Sequence, residues 1–150
     1  WYYVWKVSSN VGLLVAATLC CVLSADMRVN FSGAVIMALF WQQCGWLAHD
    51  FLHHQVFKNR NYGDYMGLLI GNVFQGFSVT WWKSKHNAHH AVPNLHASSA
   101  DAHDGDPDID TMPLLAWTKR MADHGKSNPM AKHLIGWQAF TYFPILPVFL

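Results

Sequence analysis

The chain contains no glutamate; its nine acidic residues are all aspartates. That absence removes an EF-hand reading of the stretch "DGDPDID", where Asp104, Asp106, Asp108 and Asp110 alternate. An EF-hand loop needs Gly at its sixth place and Glu at its twelfth, and the sixth place here is Ile109. Gly105 and Pro107 make the stretch a turn-rich loop instead. Charge of either sign is scarce: 13% of residues are charged and 52% are hydrophobic, against about 25% charged in an ordinary soluble domain. A net charge of +1 gives no basis for a nucleic-acid partner. The three cysteines, Cys20, Cys21 and Cys44, lack C-x-x-C spacing, which leaves packing as their role. The chain does not begin with Met, and Leu150 sits inside an apolar run, so a fragment cut at both ends is expected.

The scarce charges leave long gaps. Residues 7–25 carry none, and residues 29–48 carry none. Each gap matches the ~20 residues a helix needs to cross a bilayer core. A secretory signal fits the first gap poorly, because it lacks a basic start and a second apolar run follows directly. The expected fold is an all-α integral membrane protein. Transmembrane helices over about 7–24 and 31–47 form a hairpin, and a third crossing starts over about 134–150. An uncharged run over about 65–82 carries Asn72, Gln75, Ser78 and Thr80 and ends in Trp81-Trp82 beside Lys83 and Lys85. Trp next to Lys is typical of the headgroup zone, which predicts an interfacial helix there. Gly63, Gly67 and Gly71 recur every four residues, a stripe that lets another helix approach.

Eight of the ten basic residues (Lys58, Arg60, Lys83, Lys85, Lys119, Arg120, Lys126 and Lys132) lie between the second and third crossings. The positive-inside rule places that region, including a loop over about 91–133, in the cytosol. Eight aspartates in the same stretch weaken the count. The turn "ADMRVN" then faces the lumen; its Asn30-Phe31-Ser32 sequon hugs the membrane too closely for glycosylation.

Six of the ten histidines fall in two tight knots, "HDFLHH" and "HNAHH". His49 and His53 are one helical turn apart; His86, His89 and His90 stand at i, i+3 and i+4. Imidazole suits iron, zinc, copper and nickel. Five or six imidazoles exceed the needs of one zinc, and a two-metal cluster in the cytosol fits the count. A solvated polar collar or a metal-trapping loop is the plainer alternative, but a trapping loop needs no helical spacing. His96, His103, His124 and His133 read as ordinary polar or interfacial residues.

The residues also carry a resemblance. His49-Asp50-Phe51-Leu52-His53 resembles the first histidine box of the membrane fatty acid desaturases, H-D-x-x-H, and His86-Asn87-Ala88-His89-His90 resembles their second, H-x-x-H-H. Together with "WQQCGWLAHDFLHHQVFKNR", "WWKSKHNAHH" followed by "PN", and "GDPDID", the chain is similar to the front-end branch, most closely to fungal Δ6 enzymes. The resemblance implies a di-iron centre that uses dioxygen to place a double bond in linoleoyl or α-linolenoyl chains, carried on lipid or coenzyme A. It implies electrons from NADH through cytochrome b5 and its reductase, and a multi-pass protein of the endoplasmic reticulum membrane with its boxes facing the cytosol. It makes His49, His53, His86, His89 and His90 metal ligands, with His54 an alternative to His53. Asp50 and Asn87, inside the motifs, are expected to orient ligands. Lys83 and Lys85 would meet a headgroup, the acidic face of cytochrome b5, or simply the interface.

Two family features are missing from the sequence: the third box, Q-x-x-H-H, and the cytochrome b5 domain with its H-P-G-G. Without the third box the fragment alone is expected to be inactive. Rival readings are a sphingolipid Δ8 desaturase or a histidine-box lipid hydroxylase, separated by the product, and a membrane metal-binding or transport protein. That last reading would put histidines inside the spans.

Overall fold

A computed structural model describes residues 1–98, 102 and 104–142. These residues are helical or irregular, with no strand among them. They form two compact units, Trp1–Lys83 and Ser84–Leu150.

The first unit opens with α1 (Tyr2–Leu23) and α2 (Met27–Leu52). Tyr3 meets Asp50 and Asn10 meets Cys44, while Gly33 backs onto Ala17 and Cys20, so the two helices run side by side in opposite directions. Both start earlier than the charge gaps suggest, and α2 also ends later. A charge-free gap measures an apolar slab, whereas a helix continues as long as its backbone bonds are met. Lys6 accordingly lies within α1, its ammonium over the rings of Tyr2 and Trp5 at 5.7 and 6.0 Å. The turn is only residues 24–26. Ser24 Oγ accepts the Asp26 N–H at 3.1 Å, and Asp26 caps α2 by accepting the Arg28 N–H at 2.8 Å. Asn30 lies in the first turn of α2; with its side-chain amide turned so that the nitrogen faces α1, it donates to the carbonyls of Cys20 and Ser24, both at 3.1 Å. The asparagine of the sequon thus closes the C-terminus of α1.

Among the described residues, α1 alone is long and apolar enough to cross a membrane, with a mean hydropathy of 1.7 and 11% of that window buried. Val4, Val11, Val15, Leu19 and Val22 form its exposed face. The helix α2 is uncharged over 29–48 but carries Asn30, Ser32, Gln42 and Gln43, which lower its hydropathy. It supplies the core instead: Phe40, Cys44, Leu47, Ala48, Phe51 and Leu52 are buried with Ile70 and Val79. Burying each large apolar side chain is worth about 1.5–3 kcal/mol.

The stretch 65–82, expected as one interfacial helix, is broken. The helix α3 (Arg60–Gly67), capped by Asn59, passes into a π-helical segment (Leu68–Gln75). Gly76 ends that segment at φ +86°, a left-handed conformation that glycine adopts at no cost. Asn72 Oδ1 then accepts the Val79 N–H at 3.1 Å and Ser78 Oγ the Trp81 N–H at 3.3 Å, starting α4 (Val79–Ala91). Absence of charge could not signal Gly76 followed by a new cap. The glycine stripe does pack as expected at two of its positions, Gly63 under the Phe51 carbonyl and Gly67 under the Leu52 side chain. Gly71 faces Phe77 and Val79.

The second unit contains the end of α4, a loop, and two short helices, α5 (Lys119–Gly125) and α6 (Pro129–Gly136). The expected loop 91–133 is therefore partly helical. Thr118 caps α5, and Asn128 caps α6 ahead of Pro129 in its first turn. Gln138 clasps Ala116 by both its amide atoms, at 2.8 and 2.9 Å. The expected third crossing is described only to residue 142; Pro144 and Pro147 lie outside the described residues, as does His103.

Candidate metal centre

In the first unit, the last turn of α2 carries His49, and His53 caps the helix with a still-helical backbone. One turn apart, their rings stack edge to face at 4.4 Å between centroids. Trp82, on α4, sets its ring against both, at 5.6 Å from His49 and 6.1 Å from His53. Asp50 Oδ1 is 3.5 Å from His49 Nδ1, and Oδ2 accepts the Tyr3 hydroxyl at 3.2 Å. The expected orienting role of Asp50 thus has a long contact behind it, anchored from α1.

His54 goes elsewhere. Its backbone turns left-handed, φ 58°, just past the cap. That rotates the ring away from His53 and onto α3, where Nε2 lies 3.0 Å from Asp64 Oδ1. The same oxygen accepts from Lys83 Nζ at 2.6 Å. The Lys83 hydrogen bond, then that of His54, holds the Asp64 carboxyl below its usual range. Lys83 is therefore tied to α3 rather than held out towards a headgroup or an acidic partner.

In the second unit, α4 presents His86, His89 and His90 on one face, as their spacing predicts. His86 Nε2 and His90 Nε2 approach to 3.0 Å. Two imidazoles bound at ~2.0–2.1 Å in neighbouring positions on one metal have nitrogens ~3 Å apart, so this pair fits a shared ion. His89 points to the loop beyond the helix, with Nδ1 3.0 Å from both oxygens of Asp106. Asp106 is 2% exposed. Burial raises its carboxyl's affinity for a proton, but the Asn94 and Asp108 N–H groups and His89 outweigh that and hold it below the usual range. Asp108 reaches His89 only at 3.5 Å and is half exposed. Asn87 is exposed on α4 and takes part in none of the described hydrogen bonds, so the expected orienting role is not seen for it. His96 donates to or accepts from Thr118 at 3.1 Å, an ordinary loop contact.

Three residues at these sites escaped the reading of the sequence. Trp82, where the sequence predicts an interfacial anchor, stands one turn before His86 on the same helix, a spacing that places both on one face. Asp64 and Asp106 come from other elements, and only the turn residues around Asp106, "PN" and "GDP", hinted that the loop folds back.

The sequence of this chain is similar to several desaturases. It is 42% identical over 149 residues to a Delta(8)-fatty-acid desaturase of Euglena gracilis, covering 99% of this chain and 32% of the relative. It is 47% identical over 118 residues to an acyl-lipid (9-3)-desaturase of Physcomitrium patens, covering 79% of this chain and 22% of the relative. It is 50% identical over 86 residues to the Delta(6)-fatty-acid desaturase fat-3 of Caenorhabditis elegans, covering 57% of this chain and 18% of the relative. The chain thus spans about a third or less of the length of these relatives. Names with Δ8 and Δ6 match alike, and a fungal Δ6 likeness is not singled out. No solved structure matches the chain. The fatty acid desaturase family model matches residues 28–149, which include both histidine knots, and the chain belongs to that family.

Proposed function

We propose that this chain is part of a front-end acyl desaturase of the endoplasmic reticulum membrane, acting at Δ6 or Δ8 of a polyunsaturated acyl chain. The observation that carries the reading is the pair of imidazole nitrogens brought to 3.0 Å on one helical face, in a chain of the desaturase family. His49 and His53 would hold metal from α2, and His86, His89 and His90 from α4, with further ligands supplied by the rest of the protein. Iron bound there would supply dioxygen activation and the removal of two hydrogens from the acyl chain, chemistry no side chain performs alone. The residues would bind and orient: Trp82 sets its ring against the first pair, and Asp50 and Asp106 face imidazole nitrogens. His54, committed to Asp64, is read as outside the ligand set.

The apolar outer face of α1 favours a bilayer around the first unit, with α2 as its hairpin partner and the histidines at the cytosolic end. The substrate is a fatty acyl lipid or acyl-CoA, and cytochrome b5 with its reductase is the proposed electron donor. The Δ8 reading stands beside Δ6 because a Δ8 relative matches over 99% of this chain. The full-length protein expressed in yeast fed linoleate, or the C20 acid that is linoleate lengthened by two carbons at its carboxyl end, tests it by mass spectrometry of new fatty acids. A γ-linolenate peak assigns Δ6, and a new double bond at C8 of the longer acid assigns Δ8, each absent from a His86→Ala control. A hydroxylated product overturns the desaturase reading, and no product from either acid overturns the Δ6 or Δ8 acyl assignment.

A further inference from the structure

The loop after the second knot is built around one carboxylate. Asp106 is 2% exposed and has both oxygens engaged. Oδ2 accepts the Asn94 N–H at 2.6 Å, and Oδ1 accepts the Asp108 N–H at 2.9 Å. Its own N–H donates to the Leu95 carbonyl at 2.8 Å. Two special backbone positions make this possible. Asn94 is left-handed, φ 60°, which turns its N–H inward. Gly105 runs so close to residues 95–97 that a Cβ would come 2.5 Å from Ala97 N and 2.9 Å from the Leu95 carbonyl oxygen. The remaining contact of both oxygens is His89 Nδ1. A nitrogen 3.0 Å from two carboxylate oxygens carries the proton, which leaves Nε2 as the donor for a metal.

We propose that Asp106 is a positioning residue for the metal centre: it fixes the tautomer and ring orientation of His89 so that Nε2 faces the metal. The inference rests on the reading of His89 as a ligand. A carboxylate behind a ligating imidazole also raises its basicity, and losing it typically weakens metal affinity about 10–100-fold.

The test uses the purified full-length protein, with iron affinity measured by chelator competition and the ligand field read from the visible spectrum of the cobalt(II)-loaded form. Asp106→Asn is expected to weaken iron binding about 10–100-fold and to shift the cobalt bands. In a His89→Ala background the same change should add no further loss, because Asp106 acts through that ring. Asp108→Asn should leave both readouts as in the wild type. If His89→Ala leaves iron affinity intact, the ligand reading itself fails and this inference with it. If His89→Ala weakens binding while Asp106→Asn does not, or if Asp106→Asn weakens it equally without His89, only this inference is overturned. Should Asp106→Asn not fold, Asp106→Glu decides. A shifted cobalt spectrum in folded protein upholds the positioning role, and a wild-type spectrum refutes it.

Discussion

Single side chains sort the histidines here more sharply than spacing does. His53 and His54 are adjacent, and the H-D-x-x-H resemblance favours His53 while keeping His54 as an alternative. The difference is one backbone angle: His53 stays helical and meets His49, while His54 turns left-handed and meets Asp64. Asp64 in turn makes a residue-scale prediction. Lys83 and His54 hold its carboxyl below the ordinary range, so in acid the folded chain binds fewer protons than the unfolded one. The stability it contributes is therefore complete above about pH 4, near the unfolded aspartate value, and is lost as pH falls through the lower folded value. Asp64 is 39% exposed on its side chain, so solvent screening keeps the contribution small. Thermal unfolding of Asp64→Asn in detergent should show a shallower decline than the wild type below that pH. Superimposable pH curves would contradict the linkage.

Elements show where sequence patterns succeed and where they stop. The i, i+4 spacing of His49 with His53 and of His86 with His90 placed each pair on one helical face, and the structure agrees. The hydrophobic gaps found α1 and α2, but their ends were set by caps and local hydrogen bonds that carry no periodic signal: Asp26, Asn30 and the turn at Ser24. The stretch 65–82 reads as one uninterrupted apolar segment, and what divides it is a single left-handed glycine with Asn72 and Ser78 starting the next helix. The glycine stripe was legible because close helix contact demands small residues at a fixed interval. Gly67 lies directly under Leu52, so Gly67→Leu should overpack the α2–α3 contact. A loss of about 1–3 kcal/mol is expected, read as a lowered unfolding midpoint. An unchanged midpoint would show that α3 does not pack there in the folded protein.

At the scale of the molecule, composition and the two histidine knots point to the desaturase family, while the carboxylates that contact the histidines are not legible in the sequence. Asp64 and Asp106 lie 10 and 17 positions from the histidines they contact, in segments whose turn residues do not reveal what they close upon. Long-range partnerships of this kind are set by how loops return over a helix, and no local pattern records them. We propose that both knots hold iron. Iron content per chain of the purified full-length protein tests it most directly, measured beside three single variants. Two iron ions are expected in the wild type, with a marked loss in His53→Ala and in His86→Ala, and retention in His54→Ala. An iron-free wild type, or iron content indifferent to both His53→Ala and His86→Ala, would contradict it.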